Sequence, residues 1–170
     1  MLRIILTISL LIIFTCFAAC STEDRSTVNP TGTTNTSASA DPEISYGEGF
    51  SDLETGGGSS WRWMGSEGVI KLKNAKKDMR LRIMGSVPTD RVPQSTLTIT
   101  FNGQQLDQFP GSKAIDKEYS IPAAKQNNEA TSELRIKADK TFVPKEVDKS
   151  STDDRKLGFS LTKIIWEPKQ

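Results

Sequence analysis

The stretch Thr96-Leu97-Thr98-Ile99-Thr100-Phe101-Asn102-Gly103 constrains the fold more than any other in the chain. Leu97, Ile99 and Phe101 alternate strictly with threonines, a period of two that only a half-buried β-strand satisfies. Asn102-Gly103 then supplies the strongest two-residue signal for a hairpin turn. A two-residue turn sets Ile99 opposite Leu106 and Leu97 opposite Gln108, so the return strand is thinly apolar and belongs at a sheet edge. Similar short runs follow at Val69 to Lys73, Met79 to Met84, Lys117 to Ile121, Glu133 to Ala138 and Lys156 to Trp166. In the last, Leu157, Phe159 and Leu161 share one parity and Ile164 and Trp166 the other, which predicts a bulge near Thr162 or Lys163. No run longer than two turns shows helical periodicity, and Ala123 to Gln126 suits a single turn after Pro122. About eight strands without crossover helices predict an antiparallel β-sandwich of jelly-roll type over residues 45–170.

The first 44 residues read differently. Ile4 to Phe17 is a nearly unbroken apolar run behind Arg3. At about 14 residues and ~1.5 Å each it reaches ~21 Å, short of a ~30 Å hydrocarbon core. A signal peptide fits better than a spanning helix. The run ends in Phe17-Ala18-Ala19-Cys20, which resembles the lipobox of bacterial lipoproteins, where two small residues precede a cysteine that is acylated and becomes the new N-terminus. Cys20 fits the pattern, with Phe17 where leucine is usual; Cys16 follows Phe14-Thr15 and does not. The alternative is ordinary secretory cleavage after Ala18 or Ala19, which leaves a free thiol. The resemblance implies residues 1–19 as a signal peptide, palmitate-type acyl chains on Cys20 and a membrane partner reached through that lipid. Ser21 lacks the aspartate that retains enteric lipoproteins in the inner membrane, so an outer-membrane location in the bacterial envelope is expected. Residues 21–44 are rich in Ser, Thr, Asn, Pro and Ala. That composition predicts a disordered tether with an r.m.s. span of ~27 Å.

Charge and composition exclude several function classes. Lys and Arg number 22 against 21 Asp and Glu, and loss of Arg3 with the signal makes the balance even. A nucleic-acid partner, which needs a basic face, is not expected. The chain has no histidine, so neither a Ser-His-Asp triad nor a histidine-based zinc site can form. No cofactor or metal is implied.

Two segments are candidates for chemistry. Trp61 and Trp63, two residues apart, share a strand face and would make an aromatic platform for sugar rings if exposed. If Gly65 to Gly68 closes a hairpin, Trp63 lies opposite Ile70 and Trp61 opposite Leu72, which places both in the core with Trp166. The second segment gathers Glu146, Asp148, Asp153, Asp154 and Arg155. It suits either Ca²⁺ or a solvated turn in which Asp153 or Asp154 caps backbone N–H groups, and the neighbouring Lys145, Lys149, Arg155 and Lys156 favour the turn. Adjacent aspartates make a poor glycosidase pair, and nothing positions Glu48 or Glu54 as a partner.

Gly49-Phe50 with Glu54, Trp61-Arg62-Trp63-Met64, Asn102-Gly103 and Phe142-Val143-Pro144 leading to Asp153-Asp154-Arg155-Lys156-Leu157-Gly158 together resemble a recurring bacterial β-sandwich module. That module occurs as an extracytoplasmic domain of membrane glycosyltransferase-like proteins and as stand-alone lipoproteins. The resemblance spans about residues 45–167 and implies a non-catalytic accessory domain. The polar signature suggests a cluster of Glu54, Arg62, Asp153, Asp154 and Arg155 that pins the N-terminal segment to the last strand. A lipid-anchored module that binds carbohydrate or an envelope protein is therefore expected, and the alternative is an envelope hydrolase with a carboxylate pair. Mass spectrometry of the mature protein should find an acylated, thioether-modified Cys20 as its first residue; an unmodified thiol would end the anchor reading.

Overall fold

A computed structural model describes residues 43–170 of the 170-residue chain. Cys16, Cys20 and nearly all of the expected tether lie outside the described residues. Ten strands follow in order: β1 (Ile44–Tyr46), β2 (Glu54–Gly56), β3 (Ser59–Met64), β4 (Glu67–Lys73), β5 (Met79–Ser86), β6 (Thr96–Phe101), β7 (Gln104–Pro110), β8 (Ile115–Ile121), β9 (Thr131–Ala138) and β10 (Phe159–Pro168). A 3₁₀ turn at Ala123–Lys125 follows Pro122, and a single helical turn, α1, covers Pro144–Val147.

The strands form two antiparallel five-stranded sheets, ordered β1-β4-β9-β6-β7 and β2-β3-β10-β5-β8. Without β1 and β2, the orders 4-9-6-7 and 3-10-5-8 are the two interleaved four-stranded sheets of a jelly roll, so the expected class holds. The two extra strands come from one N-terminal segment, residues 43–56. That segment lays β1 on the edge of one sheet and β2 on the edge of the other.

Alternation fills the interior. Ile70, Leu72, Leu97, Ile99, Phe101, Leu134 and Ile136 line one inner face; Met64, Leu81, Ile83, Phe159, Leu161 and Trp166 line the other. Phe101 meets Trp166 across the gap with ring centroids 6.0 Å apart. The Trp166 Nε1–H donates to the Lys73 carbonyl at 2.8 Å, so this large side chain is buried with its polar atom satisfied. In β10 the register shifts between Leu161 and Lys163, which leaves Thr162 as the extra residue and turns Ile164 and Trp166 inward.

The β6–β7 hairpin departs from the sequence expectation. Thr100 faces Gln105 as a two-residue turn requires, but a bulge then intervenes, and Ile99 faces Asp107 while Leu97 faces Phe109. The bulge puts Phe109 rather than Gln108 toward the core. β7 is an edge strand, as expected. It is tied to the opposite edge by Asp107, which accepts from Lys117 Nζ at 3.2 Å and from Tyr119 Oη at 3.1 Å. Burial and the bond to Asp107 push the Tyr119 phenol far above its ordinary range. Inward-facing charges on edge strands also hinder edge-to-edge pairing with a second molecule.

At Gly85, β5 has no room for a side chain beside β10. A Cβ there would run into the Ser160 carbonyl and sit 2.5 Å from the Phe159 ring. Neither neighbour is a flexible side-chain tip. Gly85→Ala should lower unfolding stability by about 1–3 kcal/mol through overpacking, as measured by urea denaturation.

Candidate functional site

The tryptophan pair is not where hairpin arithmetic places it. β3 does not pair with β4: Gly65-Ser66 forms a corner that carries the chain from one sheet to the other. Gly158 N–H donates to Met64 O and Ala138 N–H to Ser66 O, both at 2.8 Å, which fixes that corner. β3 instead pairs with β10, Met64 opposite Phe159 and Arg62 opposite Leu161. Because Phe159 and Leu161 face the core, Met64 and Arg62 face inward and alternation turns Trp61 and Trp63 to the outer surface. Both indoles are half-buried and outside the core, whereas Trp166 is 4% exposed within it.

Arg62 therefore serves the N-terminal segment from the inside. Its guanidinium lies 4.6 Å from the Tyr46 ring centroid and Nη1 donates to Ser51 O at 2.9 Å, which ties β1 and the connection that follows it to β3. Ser51 is fastened again to β3: its N–H donates to Trp63 O at 2.8 Å, and its hydroxyl accepts from Trp63 N–H at 2.9 Å. Gly65 N–H reaches Gly49 O at 3.2 Å. Gly49, at φ 85°, comes so close to the Glu67 carbonyl that no side chain fits there.

These bonds hold one wall of a cleft of about 260 Å³, lined by Gly49, Phe50, Ser51, Trp63, Met64, Gly65, Arg155, Lys156 and Leu157. The lining combines the apolar Phe50, Trp63 and Leu157 with the basic residues Arg155 and Lys156. The cleft lies at the Glu67 end of β4. At the other end of that strand, Lys73 N–H donates to Glu43 O at 2.9 Å, where the described chain begins.

Of the expected charged cluster, the structure brings three members together. Arg155 Nη1 donates to Glu54 Oε1 at 2.6 Å, Nη2 to Asp153 Oδ2 at 2.7 Å and Nε to Asp153 Oδ1 at 3.0 Å. Asp153 Oδ1 also accepts the Arg155 backbone N–H at 2.9 Å. Asp154 points away and pairs with Lys145 at 3.2 Å. Arg62 is on the opposite face of β3, so neither it nor Asp154 belongs to the cluster. The Arg155 side chain and backbone N–H together hold the Asp153 carboxyl below its usual range, against a smaller opposing effect of burial. The hydrogen bonds that Arg155 donates to Asp153, and then the one to Glu54, hold it still more firmly protonated than a free arginine.

Elsewhere in the acidic loop, Asp148 accepts from Ser150 N–H at 2.9 Å and from its hydroxyl at 2.7 Å. Among the described residues no three acidic or cysteine side chains converge to hold a metal ion. Sequence reasoning missed Ser51 and Lys156 as cleft residues. Neither carries a local signal, because long-range pairing alone brings them beside Trp63.

No family model matches the chain, and no curated protein matches it. Among solved structures it is similar to a family 35 carbohydrate-binding module from Clostridium thermocellum, with TM-score 0.42 and 10% identity over 75% of this chain and 93% of that one. It is also similar to an exo-β-1,3-galactanase from Phanerochaete chrysosporium solved with β-1,3-galactotriose. Two structures of that enzyme give TM-scores of 0.35 and 0.34 at 14% and 15% identity, over 72% of this chain and 26% and 25% of theirs. Likeness of this degree carries no ligand over to the present chain.

Asp153 makes acid stability a test of the cluster. Its carboxyl is depressed in the folded protein, so its contribution is present above the ordinary value of 3.8 and is lost as pH falls through the lowered value. Asp153→Asn should flatten the dependence of denaturation midpoint on pH in that acid window and leave the slope near neutrality unchanged.

Proposed function

We propose that the chain is a lipid-anchored, non-catalytic protein of the bacterial envelope whose sandwich is a glycan-binding module. The observation that carries the module is Trp63, turned outward onto the cleft beside a guanidinium fixed by two carboxylates. An indole face gives the apolar C–H surface of a sugar ring a flat partner. Charged groups at its rim donate to and accept from ring hydroxyls, and their fixed positions lower the ordering cost of binding. The anchor is supported by Phe17-Ala18-Ala19-Cys20 and by the short apolar run before it. Two or three acyl chains make such an attachment stable, since each buried CH₂ contributes about 0.8 kcal/mol. The outer membrane is the proposed location, and accessory service to envelope glycan metabolism the proposed setting.

Binding without turnover is favoured over hydrolysis by the state of the carboxylates. A glycosidase needs one carboxyl kept protonated near neutral pH and a second one ionised across the scissile bond. Here Glu54 and Asp153 bind the same guanidinium, and Asp153 is pushed toward ionisation, the wrong direction for a general acid.

A glycan array probed with the detergent-solubilised protein tests this directly. Retention of particular glycans without released sugar is the expected result; chromatographic detection of cleaved product would overturn the non-catalytic reading. Trp63→Ala should weaken retention about tenfold or more, the scale of a lost aromatic contact plus its buried area. Because Trp63 faces outward, its far-ultraviolet circular dichroism should match the parent. An equal loss of fold and binding would return Trp63 to a structural role.

A further inference from the structure

Among the described residues, one buried side-chain polar atom lacks a hydrogen-bond partner, the Nε1–H of Trp61. Buried donors are nearly always paired, so an orphan asks for an explanation. Directly across the β2–β3 ladder from Trp61 stands Glu54, on the same outer face. Such cross-strand neighbours have Cβ atoms about 4.5–5.5 Å apart, well within the reach of a glutamate and an indole. In this structure the carboxylate is turned to Arg155 Nη1 instead, at 2.6 Å. Glu54 thus stands across the ladder from one unpaired donor and is bonded to another.

Arg155 is also the group through which a cleft ligand would meet Glu54. Arg155 and Lys156 line the cleft, and no carboxylate does. None of the described carboxylates lies within ion-pair distance of Lys156, whereas Arg155 is already shared. Asp153 grips Nε and Nη2, so the guanidinium keeps its orientation if Glu54 leaves Nη1. An ionised group is the stronger competitor for a carboxylate's place on a guanidinium, because it sets a second full charge against the cation where a neutral hydroxyl offers only a dipole.

Resting on the glycan-binding reading, we propose that the glycan carries an anionic substituent and that Glu54 is a two-position carboxylate. It sits on Arg155 as seen here, and on Trp61 Nε1 when the ligand's anion occupies Nη1 with Lys156 as second cation. The exchange leaves every donor in the set paired and makes occupancy of the cleft visible at Trp61, a side chain that does not line it.

Calorimetry and intrinsic fluorescence with three probes test this: a β-1,4-linked glucose trisaccharide, its C6-oxidised form and its 6-O-sulfated form. At least one charged form should bind about tenfold tighter than the neutral parent at low salt, and which one does so separates carboxylate from sulfate. Its binding should shift indole emission at both Trp63 and Trp61, and Trp61→Phe should reduce the shift to the Trp63 contribution without abolishing binding. Glu54→Ala removes the internal competitor, so it should tighten binding of the charged form and remove the Trp61 response. A merely structural glutamate would weaken binding when lost. Equal affinity for all three probes, or weaker binding in Glu54→Ala, would overturn the proposal and leave the glycan-binding reading standing. An array without any retained glycan overturns both.

Discussion

One extra residue in β10 allows the sandwich to have an interior. Phe159 and Leu161 face inward at the start of the strand, and a strict period of two would then turn Ile164 and Trp166 to solvent. The bulge at Thr162 absorbs the mismatch, so both halves of the central strand of its sheet contribute to the core. Trp166 reaches Phe101 across the gap only because of it. A two-sheet domain with no disulfide among its described residues depends on that apolar layer, since hydrophobic burial is the dominant favourable term in folding.

The layer in turn fixes what faces outward. Because Phe159 and Leu161 are committed to the core, their partners on β3, Met64 and Arg62, are committed with them. Trp61 and Trp63 are left outside by alternation alone. The N-terminal segment then acts on both sheets at once, with Arg62 holding Ser51 and stacking on Tyr46. Its outer side supplies Glu54 to Arg155. The cleft is a by-product of how this segment closes the open edge of an eight-stranded jelly roll.

Much of the fold was legible in the chain because parity is a local property. The alternation of β6, the Asn102-Gly103 turn, the edge position of β7 and the bulge in β10 all follow from neighbouring residues. What parity cannot distinguish is a hairpin from a corner. Gly65 to Gly68 satisfies both, and the choice depends on Gly158 and Ala138, which bind the corner from far along the sequence. The faces of Trp61 and Trp63 were inverted for that reason. The bulge opposite Ile99 escaped for a related one: Leu106 is as apolar as Phe109, so composition gives no reason to skip a residue. β1 and β2, three residues each, are too short to show any period. The charged cluster was half legible, since Glu54, Asp153 and Arg155 could be grouped by kind, but Arg62 lies on the inner face of β3 and Asp154, in the loop before β10, pairs with Lys145 instead.

β4 joins two ends of the described domain. At one, Glu43 receives the Lys73 amide; at the other, Gly49, Phe50 and Trp63 enclose the cleft. Seven residues of extended chain put them about 20 Å apart. The cleft therefore lies a full strand's length from the point at which the described chain begins, like a hook whose shank is the fourth strand.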